Sequence, residues 1–128
     1  MGYTPSLPGS IATNTYDATM YMGVVTIGAA GAVSSQVCKP AVVAYASSAG
    51  KYTITLPCNY KTLVNADFTL YSPSGTLLSG CVTDESTLST TGVITVEFRN
   101  GGTATDLTNG WKFYFQLVVS TSQLNASV

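Results

Sequence analysis

GVITVEFRN, residues 92–100, alternates Ile94, Val96 and Phe98 with Thr95, Glu97 and Arg99. Successive side chains of a strand point to opposite faces, so this stretch marks one side for a core and the other for water. GWKFYFQLVVS, residues 110–120, repeats the pattern. Trp111, Phe113, Phe115, Leu117 and Val119 share one face, and Lys112, Tyr114 and Gln116 share the other. Between them lies GGTATDLTNG, residues 101–110, whose glycines suit tight turns.

Working towards the N-terminus, the same lettering recurs. PAVVAYA (40–46) and GKYTITLP (50–57) read as a hairpin around Ser47-Ser48-Ala49. DFTLYSPSGTLLSGCV (67–82) reads as another, with strands Asp67–Tyr71 and Thr76–Val82. Its turn is Ser72-Pro73-Ser74-Gly75, where proline presets φ at the second position and glycine suits the fourth. MYMGVVTIG (20–28) predicts a first strand from Tyr21 to Ile27, and AAGAVSS (29–35) a turn of small residues. No segment shows a 3.6-residue period. Some seven or eight short strands with frequent turns predict an all-β fold, an antiparallel β-sandwich or jelly-roll-like barrel. The expected core is Val25, Ile27, Val43, Tyr52, Ile54, Leu56, Phe68, Leu70, Leu77, Ile94, Val96, Phe98, Trp111, Phe113, Phe115 and Leu117.

Residues 1–20 differ from the rest. Pro5, Pro8 and Gly9 argue against a helix, while the aromatic and apolar residues argue against a wholly disordered tail. An extended N-terminal arm that orders by docking is expected here, followed by one sandwich domain over 21–128. Tyr3, Leu7, Ile11, Tyr16, Met20 and Tyr21 are its candidate partner contacts.

Of the 128 residues 45% are hydrophobic and 9% charged, with a net charge of −1; an ordinary soluble domain carries about 25% charged residues. The five cations, Lys39, Lys51, Lys61, Lys112 and Arg99, are scattered singly, so nucleic acid is not an expected partner. No run approaches the ~20 apolar residues of a membrane helix, so no membrane partner is expected either. The start has no basic region or apolar run of signal type, and the protein is expected to be made and kept in a cytoplasm. Met1-Gly2 with Ser6 only loosely fits a myristoylation pattern, and Asn125-Ala126-Ser127 is a chance-level glycosylation triplet. Cys38, Cys58 and Cys81 are odd in number and widely spaced, and read as buried free thiols behaving as small hydrophobes.

The sequence contains no histidine, which removes the commonest general base and metal ligand. SSAGKY (47–52) ends like a phosphate-binding loop, but Tyr45 stands where the first glycine belongs and Tyr52 where the hydroxyl residue belongs. Asp84-Glu85, in TDESTLSTTG (83–92), are the only adjacent acids; as loop neighbours they read as solvated charges rather than a glycosidase pair. Calcium held by Asp84, Glu85 or Asp106 would lack the usual loop spacing. Tyr45, Tyr60, Tyr71 and Tyr114 are candidates for stacking on sugars, with surface or interface tyrosines the plainer reading. No enzyme activity, cofactor or metal is expected.

Four stretches in this order carry a family resemblance: GVVTIGAAGAVSSQV (23–37), SSAGKYTITLP (47–57), FTLYSPSGTLLSG (68–80) and VITVEFRNGGTATDLTNGWKFYFQLVV (93–119). Together they resemble small virion proteins of tailed bacteriophages, namely head decoration (cement) proteins and related head- or tail-fibre modules. The cysteines and the N-terminal arm lie outside the resemblance. It implies a protein on the outer capsid surface of the virion, made in the bacterial host cytoplasm. It also implies the major capsid protein and further copies of the chain, as a homotrimer, for partners. A receptor- or glycan-binding module of a tail fibre or spike is the alternative, and a chain with its own Met1 fits a stand-alone decoration protein better.

Overall fold

The structure, a computed structural model, describes residues 18–121. Within them run β1 (Ala18–Ile27), β2 (Val33–Val37), β3 (Val42–Tyr45), β4 (Lys51–Thr55), β5 (Thr62–Tyr71), β6 (Ser79–Asp84), β7 (Val93–Asn100), β8 (Thr103–Ala104) and β9 (Lys112–Ser120). Helical structure among these residues is a 3-10 turn at Ala29–Gly31 and one α-helical turn, α1 (Leu88–Thr91). The strands form two antiparallel sheets, β2-β1-β9-β5 and β3-β4-β7-β6, with the short β8 on the end of β7. The protein is an all-β sandwich.

Alternation decides which side of each strand is buried. Ile94, Val96 and Phe98 of β7 and Phe113, Phe115, Leu117 and Val119 of β9 all point into the space between the sheets and are at most 3% exposed. Rings interlock there: Phe113 meets Phe98 at 5.0 Å and Tyr52 at 5.4 Å between centroids. Burying each large side chain contributes roughly 1.5–3 kcal/mol, so this layer is the main source of stability. Tyr21, Cys38, Ala41, Tyr60, Leu88 and Leu107 complete the core from loops and strand ends.

The sequence reading needs correcting at four places. First, β1 includes Ala18 to Met20 before Tyr21, pairing Ala18 with Ser120 and Met20 with Val118, so Met20 belongs to the sheet. Second, AAGAVSS is not all turn: Val33–Val37 is an edge strand whose pairing with β1, Val24 against Val37, is a tertiary contact. Third, the Ser72–Gly75 turn forms, with Gly75 N–H donating to Ser72 O at 2.9 Å, but β5 and β6 lie in different sheets. The segment is a crossing between layers, not a hairpin. Fourth, and as a result, Leu77 falls in the connector and is 88% exposed instead of buried. Phe68, Leu70 and Trp111 are only partly buried against the core.

Candidate functional site

The two outer faces of the sandwich differ in chemistry. On the second sheet the outward residues include Thr53, Thr55, Thr95 and Ser79, with Lys51, Glu97 and Arg99 among them, and also Val42, Ala44, Cys81 and Val93. Arg99 donates to Glu97 at 2.8 Å, and this hydrogen bond raises the guanidinium further above its ordinary value. This face is rich in hydroxyls, with Glu97 buried beneath Arg99 and Val42 as its one exposed large hydrophobic among the described residues.

On the first sheet, strand register builds the outer face in rows. Val37, Val24, Tyr114 and Thr69 stand in one row across four strands, and Met22, Gln116 and Asp67 stand in the next. Met20, Val118 and Asn65 form a third, and Thr26, Lys112 and Tyr71 a fourth. Several of these apolar side chains are left uncovered by the described residues: Val37 is 76% exposed and Met22 61%. Tyr71, Tyr114 and Met20 are exposed as well, and Lys112 Nζ lies 5.8 Å from the centre of the Tyr71 ring. Beside Met22 a hollow of about 430 Å³ is lined by Gln36, Val37, Cys38 and Lys39. A second hollow, of about 280 Å³, lies between Met22 and Tyr114 over Gly23, with Asp67, Thr69 and Gln116 on its wall. Gly23 is required here, since a Cβ would lie 2.2 Å from the Cβ of Cys38.

Of the residues expected to meet a partner, Tyr3, Leu7, Ile11 and Tyr16 lie outside the described residues. Met20 is on the exposed face. Tyr21, one position on, points the opposite way: it is buried, and its hydroxyl hydrogen-bonds that of Tyr60, so it is a core residue and not a contact. Burial pushes the Tyr60 phenol well above its ordinary value, with the Tyr21 bond adding to it. The sequence reading missed Met22, Val24 and Val37. The signal was there in the alternation of β1, whose second face is as apolar as its first.

Two of the three candidate acids, Asp84 and Asp106, are occupied structurally. Asp84 accepts from the Ser86 amide at 2.8 Å and hydroxyl at 2.6 Å, which lowers its pKa. Asp106 accepts from Tyr45 at 2.9 Å and from the Gly50 amide at 2.7 Å. Asp67 accepts from Asn65 at 3.1 Å. No group of three metal-ligating side chains occurs among the described residues. All three cysteines are unbridged, but only Cys38 is buried as expected: Cys58 follows β4 in a loop and Cys81 points outward from β6, and both are exposed; desolvation raises the Cys38 pKa. Of the four tyrosines considered for stacking, Tyr60 is bonded in the core and Tyr45 is held by Asp106, leaving Tyr71 and Tyr114. No protein-family model matches this chain, and no curated protein or solved structure matches it.

Proposed function

We propose that the protein is a capsid decoration protein of a tailed bacteriophage, made in the host cytoplasm and attached to the outer surface of the assembled head. It docks through the outer face of the first sheet and bridges neighbouring major capsid protein subunits. One observation carries the proposal: among the described residues the outer face of the first sheet leaves Met20, Met22, Val37, Tyr71 and Tyr114 exposed, beside a polar margin of Asn65, Asp67 and Thr69 on β5, whereas the opposite outer face leaves Val42 as its one exposed large hydrophobic. An apolar face rimmed by polar groups is what a docking surface requires. With charges so sparse, association relies on burial and on repetition by symmetry. The resemblance adds three copies around a three-fold axis. Heads lacking the protein provide the test. Met22→Lys with Val37→Lys is expected to weaken co-sedimentation at least about tenfold, or ~1.4 kcal/mol. Thr53→Lys with Thr95→Lys, on the opposite face, is expected to leave binding unchanged. Equal binding by both pairs would overturn the assignment of the face, and heads that never retain the wild-type protein would overturn attachment.

The 280 Å³ hollow favours a second reading, a glycan-binding module of a tail fibre or spike. An exposed Tyr114 ring beside Asp67, Thr69 and Gln116 offers a stacking face with acceptors and donors, as sugars need. Binding of host surface oligosaccharide that Tyr114→Ala abolishes would favour this reading over decoration.

A further inference from the structure

The sandwich has two flanks, and they are finished differently. On the flank of β2 and β3 the Gln36 carboxamide closes the edge of β3. Its Nε2 donates to Val43 O at 2.9 Å and its Oε1 accepts from Val43 N–H at 2.8 Å. The side chain thus takes the place of a neighbouring strand. On the other flank no side chain of the described residues closes the edge of β5 in this way over residues 65–71. β5 is ten residues long, it pairs with β9, and no strand among the described residues pairs with its outer edge. After a bulge between Leu63 and Asn65 its pairing is regular to Tyr71, with no proline or lysine to block an incoming strand. Long regular edges of this kind template further pairing. The edge strand of the other sheet on that flank, β6, is shorter and is broken by a bulge between Val82 and Asp84.

The same flank carries an apolar seam. Leu63, Ala66, Phe68 and Leu70 of β5 face inward with Leu78 and Val82 from the β6 side, and all six are only partly buried. Phe68 closes on Gly80, where a Cβ would lie 3.0 Å from the Phe68 Cβ. The core therefore continues to an open border there.

We infer that this flank is a self-association surface, at which β5 of one copy pairs antiparallel with β5 of a second copy about a two-fold axis. The sequence of β5 is self-complementary in one register. Centred on Phe68, that register sets Phe68 against Phe68, Ala66 against Leu70, Asp67 against Thr69 and Asn65 against Tyr71. Inward pairs are then all apolar, and the Asp67 carboxylate faces a hydroxyl donor; cross-strand pairs of these kinds stabilise a sheet. Centred one residue earlier, the pairing would set Asp67 against Asp67, two like charges directly opposite. A two-fold axis perpendicular to the sheet keeps both apolar outer faces on one side, so two four-stranded sheets become a single broad face. Self-pairing closes at two copies, where the phage resemblance implies three. The inference concerns the free protein and stands apart from attachment to heads.

Sedimentation equilibrium of the full chain without particles tests it. A dimer is expected. Ala66→Lys, which aims a charge along the open flank, is expected to raise its dissociation constant at least about hundredfold, ~2.7 kcal/mol, with the strand signature in circular dichroism unchanged. Register is read by oxidation in a Cys58→Ser, Cys81→Ser background. Asp67→Cys with Thr69→Cys should cross-link into dimers, and Thr69→Cys alone should not. A monomer at all concentrations, as would follow if another part of the chain covers β5, overturns the inference. So does a trimer unaffected by Ala66→Lys. If Ala66→Lys fails to fold, the cross-link decides: no dimer from the double-cysteine variant overturns the pairing.

Discussion

Gly50 binds three parts of the molecule together through its backbone. Its φ is +67°, its amide donates to Asp106 at 2.7 Å, and its carbonyl accepts from the Phe98 amide at 2.9 Å. A Cβ there would lie 2.6 Å from the carbonyl oxygens of both Phe98 and Thr105, which are backbone atoms unable to yield. Gly50→Ala is expected to cost about 2–4 kcal/mol, from left-handed strain plus a clash, read as a lower urea midpoint at unchanged slope. Three tyrosines make the stability depend on pH on the alkaline side. Burial pushes the Tyr52 phenol, which donates to Gly31 O at 2.6 Å, far above its ordinary 10.0. Tyr60 is raised by burial too, and Tyr45 chiefly by its hydrogen bond to Asp106. A raised pKa in the folded state means the unfolded chain ionises first. The contribution is therefore whole below the ordinary value and is lost as pH climbs through the folded one. Stability should hold to about pH 9 and fall above about pH 10, with tyrosinate absorbance appearing together with unfolding.

Strand edges decide how each element ends. β3 is four residues long and its outer edge would be open but for Gln36. Gln36→Ala leaves a donor and an acceptor of Val43 without partners, and should cost about 1–3 kcal/mol. Faster hydrogen exchange at the Val43 amide, more than at the Ile54 amide on the neighbouring strand, would show that the loss is local. Exchange at the two amides rising equally would mean that Gln36 supports the whole fold and not this edge. β2 and α1 escape a sequence reading for a related reason. Five residues of which two are serine, and one helical turn, carry too little periodicity to be told from loop. Their positions come from what they touch: β2 from β1, and α1 from Leu88, which is buried.

For the whole molecule, the sparse charges and the apolar outer face lead to one prediction about attachment. Exposed ion pairs contribute only ~0–1 kcal/mol and are screened within about 8 Å in physiological salt. Apolar burial, at roughly 25 cal/mol per Å², is not screened. Binding to heads should therefore change less than about tenfold between low salt and molar sodium chloride. A loss of several orders of magnitude in a co-sedimentation titration would mean that Arg99 and the lysines, not the apolar side chains, carry the interface.

Strand period and turn residues act over a few neighbours, and what they control was legible in the sequence. β4, β7 and β9, the inward faces of Ile94 to Phe98 and Phe113 to Val119, and the all-β class follow from alternation alone. The preference of threonine for exposed strand positions is also local, and the second sheet shows it at Thr53, Thr55 and Thr95. Which strands share a sheet is a matter of distant pairing, so a sound turn at Ser72–Gly75 was read as a hairpin although it joins two layers. The candidate site was hidden for the same reason. Met22, Val24, Val37 and Tyr114 come from three strands separated in sequence, and only antiparallel register sets them side by side. Tyr21 and Met20 are adjacent in the chain and equally apolar. One is core and the other surface, because β1 packs on the second sheet with one face and leaves its other face open.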